Sequence, residues 1–195
     1  WFHNRRIAEL GTRHGDSVLC YAQRARSALA VEYTEAYCRQ LQLRSAQTVA
    51  KGRRGFATVC SDYRTANLSN LDYVTWWQDV STPLRDMSVL RHLHNEMASG
   101  RLARKTVAVV LFNTDWAPDS KSYMKLRHLF EREISVRFDE RASCRADHRA
   151  DHRLSCGRAS GEFIAAFIPL ASIRWWSLRI WNDPLSPLHL GCTDK

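Results

Sequence analysis

The chain has 195 residues, 45% hydrophobic and 25% charged, a length that fits one domain of ordinary size with an extension better than two full domains. With 10% aromatics, seven Trp, five Pro and eight Gly, the composition is neither disordered nor collagen-like. No stretch approaches the roughly 18 to 20 unbroken apolar residues of a membrane span. Lys and Arg total 29 against 20 Asp and Glu, a net charge of +9, which favours an acidic partner such as nucleic acid or an anionic membrane face. A nucleotide bias of the genome accounts equally well for the excess of Arg over Lys.

Six Cys, at positions 20, 38, 60, 144, 156 and 192, are spaced too widely and irregularly for a small disulfide scaffold or a C-x-x-C zinc half-site. Reduced, mostly buried thiols are expected. The chain begins at Trp1, and its first turns lack the apolar run of a secretory signal; their Arg, Ser and Ala content fits an organellar, mitochondrial protein.

In chain order, residues 25–49 read as a helix with Leu29, Tyr33, Ala36 or Tyr37, and Leu41 on one side. The basic stretch Lys51-Gly52-Arg53-Arg54-Gly55 ends it and reads as a linker between an N-terminal helical extension, 1–55, and the main domain. Residues 72–80 are rich in aromatics. Thr82 is a plausible N-cap and Pro83 the first residue of a helix whose apolar face is Leu84, Met87, Leu90, Leu93 and Met97, stopped at Gly100. The continuous apolar run 106–112 predicts a central parallel strand. A helix over 119–133 and a strand with Ile134, Val136 and Phe138 alternating complete a βαβ unit.

Residues 141–156 are four tandem tetrapeptides, Arg-Ala-Ser-Cys, Arg-Ala-Asp-His twice, and Arg-Leu-Ser-Cys. A period of four on a helix winds each row of like residues around the axis, so no face stays apolar and the segment 141–160 reads as a solvated insert. The apolar run 163–168 precedes Pro169, and 173–181 is strongly apolar without a clean period. The tail 183–195, with Pro184 and Pro187, reads as an irregular strap.

The strand 106–112, followed by Trp116-Ala117-Pro118-Asp119-Ser120-Lys121 and a helix, resembles the first central strand and active-site turn of the thioredoxin family, which carries Trp-Cys-x-x-Cys-Lys there. Ile168-Pro169 matches the place of that family's cis-proline. The resemblance covers roughly residues 70–182 and implies an α/β fold, a thioredoxin-like central sheet flanked by helices, over 56–182. It also implies no redox activity: thiol–disulfide exchange needs an attacking thiolate and a resolving thiol, and the degenerate positions Ala117 and Ser120 supply neither. No cofactor is implied.

Other candidate sites compete with plainer explanations. Cys144, His148, His152 and Cys156 have zinc-ligand chemistry, but on a straight helix the first and last lie about 18 Å apart, too far to share an ion bound at about 2.0 to 2.3 Å. No metal is expected. Arg141, Arg145, Arg149, Arg153 and Arg158, with Arg53 and Arg54, are candidate contacts to RNA or an acidic partner, against ion pairing on a solvated helix. Trp175, Trp176 and Trp181 are candidate anchors of a protein interface. No phosphate-binding glycine loop, H-E-x-x-H, G-x-S-x-G or paired-carboxylate arrangement stands out.

These readings lead to a non-catalytic thioredoxin-like structural subunit of a large organellar assembly, first a mitochondrial ribosomal protein on the matrix side contacting rRNA and neighbouring proteins. The alternatives are an accessory subunit of a respiratory or ATP synthase complex and a thiol-dependent enzyme using a Cys outside the motif.

Overall fold

A computed structural model describes residues 2–78, 83–113, 121–137 and 162–173. Seven strands form one mixed sheet: β1 (Arg6–Leu10), β2 (Ser27–Glu32), β3 (Ala57–Cys60), β4 (Tyr73–Trp77), β5 (Val107–Asn113), β6 (Arg132–Arg137) and β7 (Glu162–Pro169), in the order β3-β2-β1-β4-β5-β7-β6. The first five are parallel; β7 is antiparallel and lies between β5 and β6. The helices are α1 (Asp16–Ala22), α2 (Glu35–Ala50), α3 (Pro83–Ala98) and α4 (Lys121–Leu126).

The sheet is covered on both faces, which is why β5 is apolar at every position from Val107 to Phe112. In β5, Ala108, Val110 and Phe112 join the core with Leu90 and Leu93 of α3 and Tyr123 and Leu126 of α4, while Val109 and Leu111 join the opposite face with Tyr21 of α1 and Phe167 of β7. Val18 and Ala22 of α1 and Leu41 of α2 close that second face over Ala28 and Ala30 of β2. The connection from β3 to β4 contains no helix; Leu68 and Leu71 of this strap are buried in the larger core.

This architecture corrects several expectations. The first 55 residues are not a helical extension: β1 and β2 stand inside the sheet, and the helix expected over 25–49 begins only at Glu35. Ala28, Leu29, Ala30 and Val31 carry apolar side chains to both faces, a pattern that a strand and a buried helix turn share. Helix α3 and strand β5 lie where the sequence places them. Strands β5 and β6 flank α4 as the βαβ reading requires, yet they are not neighbours, because β7 enters between them.

The thioredoxin-like framework is overturned. Strands β1, β2 and β3 continue the sheet beyond β4 and are connected through β1, an order unrelated to the expected unit. No peptide bond among the described residues is cis, Ile168-Pro169 included. Ala117 and Ser120 lie outside the described residues, as do Arg141, Arg145, Arg149, Arg153, Arg158, Cys144, His148, His152, Cys156, Trp175, Trp176 and Trp181. Among the described residues no helix is long and apolar enough to cross a membrane.

Candidate functional site

From β1 the chain runs outward to β2 and β3, then crosses back to β4 on the other side of β1. The reversal between β1 and β4 is a topological switch point, and open α/β sheets bind their ligands in the crevice outside the carboxyl ends of the strands at such a point. The residues that follow β1 are Gly11-Thr12-Arg13-His14-Gly15. Gly11 (φ 66°), Arg13 (φ 49°) and Gly15 (φ 82°) all take left-handed conformations, which glycine enters without a Cβ penalty. At Gly15 a Cβ would also meet Leu41 Cδ2 at 2.5 Å, so the missing side chain lets α2 pack against the loop. No glycine loop was expected from the sequence; the structure forms one.

Glu32, the last residue of β2, holds this loop. Its Oε2 accepts the Arg13 backbone N–H at 2.9 Å and its Oε1 that of Thr34 at 2.8 Å. The Gly11 N–H reaches Val31 O at 2.9 Å, and the Thr12 hydroxyl donates to Glu9 O at 2.9 Å. From α2, the Arg44 guanidinium bonds His14 O and pairs with Asp16 at 2.7 Å. Backbone and side chain thus fix the loop and offset the left-handed conformation of Arg13, which is unfavourable for a residue with a Cβ. Tyr33, the next residue after Glu32, is 77% exposed.

Beneath the loop lies a buried polar group. Glu9 is 1% exposed and its Oε2 has no hydrogen-bond partner among the described residues. Burial pushes its carboxyl up to about 8, with the Ser17 hydroxyl favouring the charged form and Asp16 opposing it. Thr75, its register partner on β4, is fully buried beside it. Tyr21 is pushed well above its ordinary value, first by burial and then by Glu9. Trp77, at the end of β4, donates its indole N–H to Ser17 Oγ at 2.9 Å, and its ring meets Phe163 edge-on at 5.4 Å.

The third rim of the crevice follows β3. Asp62 accepts from the Arg64 backbone and guanidinium, which holds its carboxyl down at about 2. Tyr63 stacks edge-on with His92 of α3 at 5.3 Å, and burial pulls that imidazole below its ordinary value.

Arg53 and Arg54 lie before β3, at the opposite end of the sheet from the crevice. The Arg54 guanidinium caps Ala25 O at 2.7 Å, a contact within the fold. The expectation of reduced thiols fails for one pair: Cys38 and Cys60 are disulfide-bonded. What the sequence reading missed is the group Glu9, Gly11, Gly15 and Glu32. Its signal is an acid two residues before the first of two glycines, with a second acid twenty-one residues after that glycine, a glycine-to-acid separation close to that in doubly-wound folds although the G-x-G-x-x-G pattern itself is absent.

No family model matches the chain, and no curated protein matches its sequence. Solved structures do match in shape. A magnesium protoporphyrin IX methyltransferase from Synechocystis PCC 6803 with bound SAM is 11% identical, with a TM-score of 0.53 over 86% of this chain and 71% of that one. A Pyrococcus horikoshii OT3 protein gives 0.54 at 10% identity over 85% and 82%. A ribosomal protein L11 methylase from Lactobacillus delbrueckii subsp. bulgaricus gives 0.50 at 11% identity over 83% and 68%. At such identities the likeness shows the fold: a Rossmann-like open sheet with an antiparallel strand near one edge.

The reading as a non-enzymatic structural subunit is corrected with the fold. It rested on the loss of redox cysteines from a thioredoxin framework, and the chain instead has a framework found in methyltransferases. The ribosomal and respiratory assemblies, rRNA as partner, and a catalytic Cys outside the motif lose their basis at the same point.

Proposed function

We propose that this protein is a methyltransferase that uses S-adenosylmethionine, bound across the carboxyl ends of β1, β2 and β3. The observation that carries the reading is the Gly11–Gly15 loop held by the Glu32 carboxylate at the point where the strand order reverses. Fold alone does not assign chemistry, so the argument rests on whether these residues fit the donor.

They do. Glu32 ends β2 as an acceptor whose two oxygens each retain a lone pair beyond the backbone N–H already bound, suited to the paired hydroxyls of a ribose. Tyr33 offers an exposed aromatic face beside it, and the glycines let the backbone come close to a ligand. The Oε2 of Glu9, buried at the root of the loop on a carboxyl that burial holds protonated, is a hydrogen-bonding group for the zwitterionic amino-acid end of the donor. The bound donor supplies an electrophilic methyl group on a positively charged sulfur.

This chain's own contribution is binding and alignment. Bringing donor and acceptor atom together supplies much of the rate of such a transfer. Trp77, fixed by Ser17 and Phe163, gives the crevice a rigid apolar wall on the β4 side that excludes water.

The test is calorimetric titration of the purified, oxidised protein with S-adenosylhomocysteine, followed by transfer from a methyl-labelled donor to a panel of small-molecule, protein and RNA acceptors. Saturable binding is expected, weakened at least about ten-fold, or roughly 1.4 kcal/mol, by Glu32→Ala. Absence of binding by the folded wild-type chain would sink the assignment.

A further inference from the structure

Cys60 is the register partner of Glu32 across β2 and β3, and its sulfur is bonded to Cys38 in the first turn of α2. We propose that the Cys38–Cys60 disulfide is a thiol-exchange site that couples the redox state of the protein to nucleoside binding at Glu32. This rests on the reading of the crevice given above and extends it.

The argument begins with how β3 is held. It is a four-residue edge strand whose one sheet neighbour among the described residues is β2. Toward its amino end, Ser45 of α2 bonds the Phe56 backbone twice, accepting from N–H at 2.8 Å and donating to C=O at 2.6 Å. Toward its carboxyl end, the tie to α2 is the disulfide, with the Gln42 amide donating to Cys60 Sγ at 3.4 Å. Between these ties α2 and β3 separate around a groove of about 560 Å³ lined by Gln42, Ser45, Val49, Phe56 and Thr58. Breaking the sulfur bond leaves β3 paired to β2 but covalently untied from α2 at its carboxyl end, with the Ser45 tie at the other end and an open seam between.

The free end is the functional one. Thr34 and Glu32 immediately precede the helix that carries Cys38, and Ser61 and Asp62 immediately follow Cys60. Loss of the tie therefore loosens the two segments that flank the Glu32 carboxylate and leaves the Ser45 anchor in place.

The two sides of the bond differ in exposure, which sets the order of exchange. Cys60 is exposed and open to attack, whereas Cys38 is fully buried. The thiolate of an external dithiol attacks Cys60 Sγ, the Cys38–Cys60 bond breaks, and Cys38 leaves as a thiolate. That charge forms in the first turn of a 16-residue helix, where the N-terminal dipole opposes the desolvation of the buried sulfur. The second thiol of the reductant then attacks its own sulfur in the mixed disulfide and releases Cys60. Two electrons pass to the protein, the reductant becomes a disulfide, and both cysteine thiolates take up protons.

The experiment titrates S-adenosylhomocysteine into the full chain in two states: as purified, and after dithiothreitol with alkylation of a parallel sample mapped by mass spectrometry. Circular dichroism checks that both states are folded. Dithiothreitol is expected to expose Cys38 and Cys60 together and to weaken binding by roughly 5- to 100-fold, the usual range of coupling between sites. Cys60→Ser, at an exposed position, is expected to bind like the reduced protein and to ignore reductant, and Cys20→Ser to respond like wild type. Equal or tighter binding after reduction, or a bond that dithiothreitol leaves intact in the folded protein, overturns the coupling while the methyl-donor reading stands. Failure of both states to bind overturns both.

Discussion

Replacing Glu9 by Gln tests the origin of the pH dependence of this fold. The carboxyl is raised from its ordinary 4.5 to about 8 because folding removes it from water, and Gln keeps its shape without its titration. Below pH 4.5 folded and unfolded chains both hold the proton. Between 4.5 and about 8 the unfolded chain has released it and the folded chain retains it, so the native state binds more protons and stability falls as pH rises. At about 1.4 kcal/mol per pH unit the loss reaches roughly 3.5 kcal/mol at pH 7 and about 5 kcal/mol above pH 8. Urea unfolding of wild type and Glu9→Gln at a series of pH values from about 5 to 8.5 measures it. Asp62, Asp72 and Glu96, all lowered by Arg partners, titrate alike in both proteins and cancel in the difference. The gap between the two stabilities should widen steadily in favour of Gln across this range. Parallel curves would refute the claim that a buried, protonated Glu9 sits beneath the loop.

Other substitutions separate the causes of stability around the crevice. Gly15→Ala meets both a left-handed φ and the contact with Leu41, and is expected to cost about 2–4 kcal/mol in chemical denaturation. Gly11→Ala has the same sign of φ with nothing within 4 Å, so it should cost only about 1–2 kcal/mol; equal costs would contradict the role assigned to Leu41. Phe112, fully buried with Tyr123 and Phe130 at 5.3 and 6.0 Å, should lose about 3–5 kcal/mol on change to Ala, read by thermal unfolding. Trp76→Phe removes the indole donor to Asp86 at 2.9 Å inside the core and should cost about 1–3 kcal/mol; a neutral result would show that Asp86 is satisfied without it.

Much of the sheet's character is legible in single segments. The run Val107–Phe112 is rich in β-branched Val and apolar on both alternations, as a strand covered on both faces requires, and Pro83 with Gly100 brackets an amphipathic helix. The short segments mislead for a physical reason: Ala28–Val31 is too brief to display either period, and its identity as strand depends on β1 and β3 lying beside it. The crevice was half visible. Glu9, Gly11, Gly15 and Glu32 have a spacing that carries information, but positive φ at Arg13, between the two glycines, is set by the Glu32 carboxylate and cannot be read from Arg itself.

The sequence by itself determined that this chain builds a two-sided apolar sheet with amphipathic helices, because burial periodicity is written locally, residue by residue. Tertiary structure alone decided the order of the strands, the insertion of β7 beside β5, and the meeting of Cys38 with Cys60. Those outcomes join residues far apart in the chain, where hydrogen bonding and close packing between whole elements choose among arrangements that satisfy each local pattern equally well.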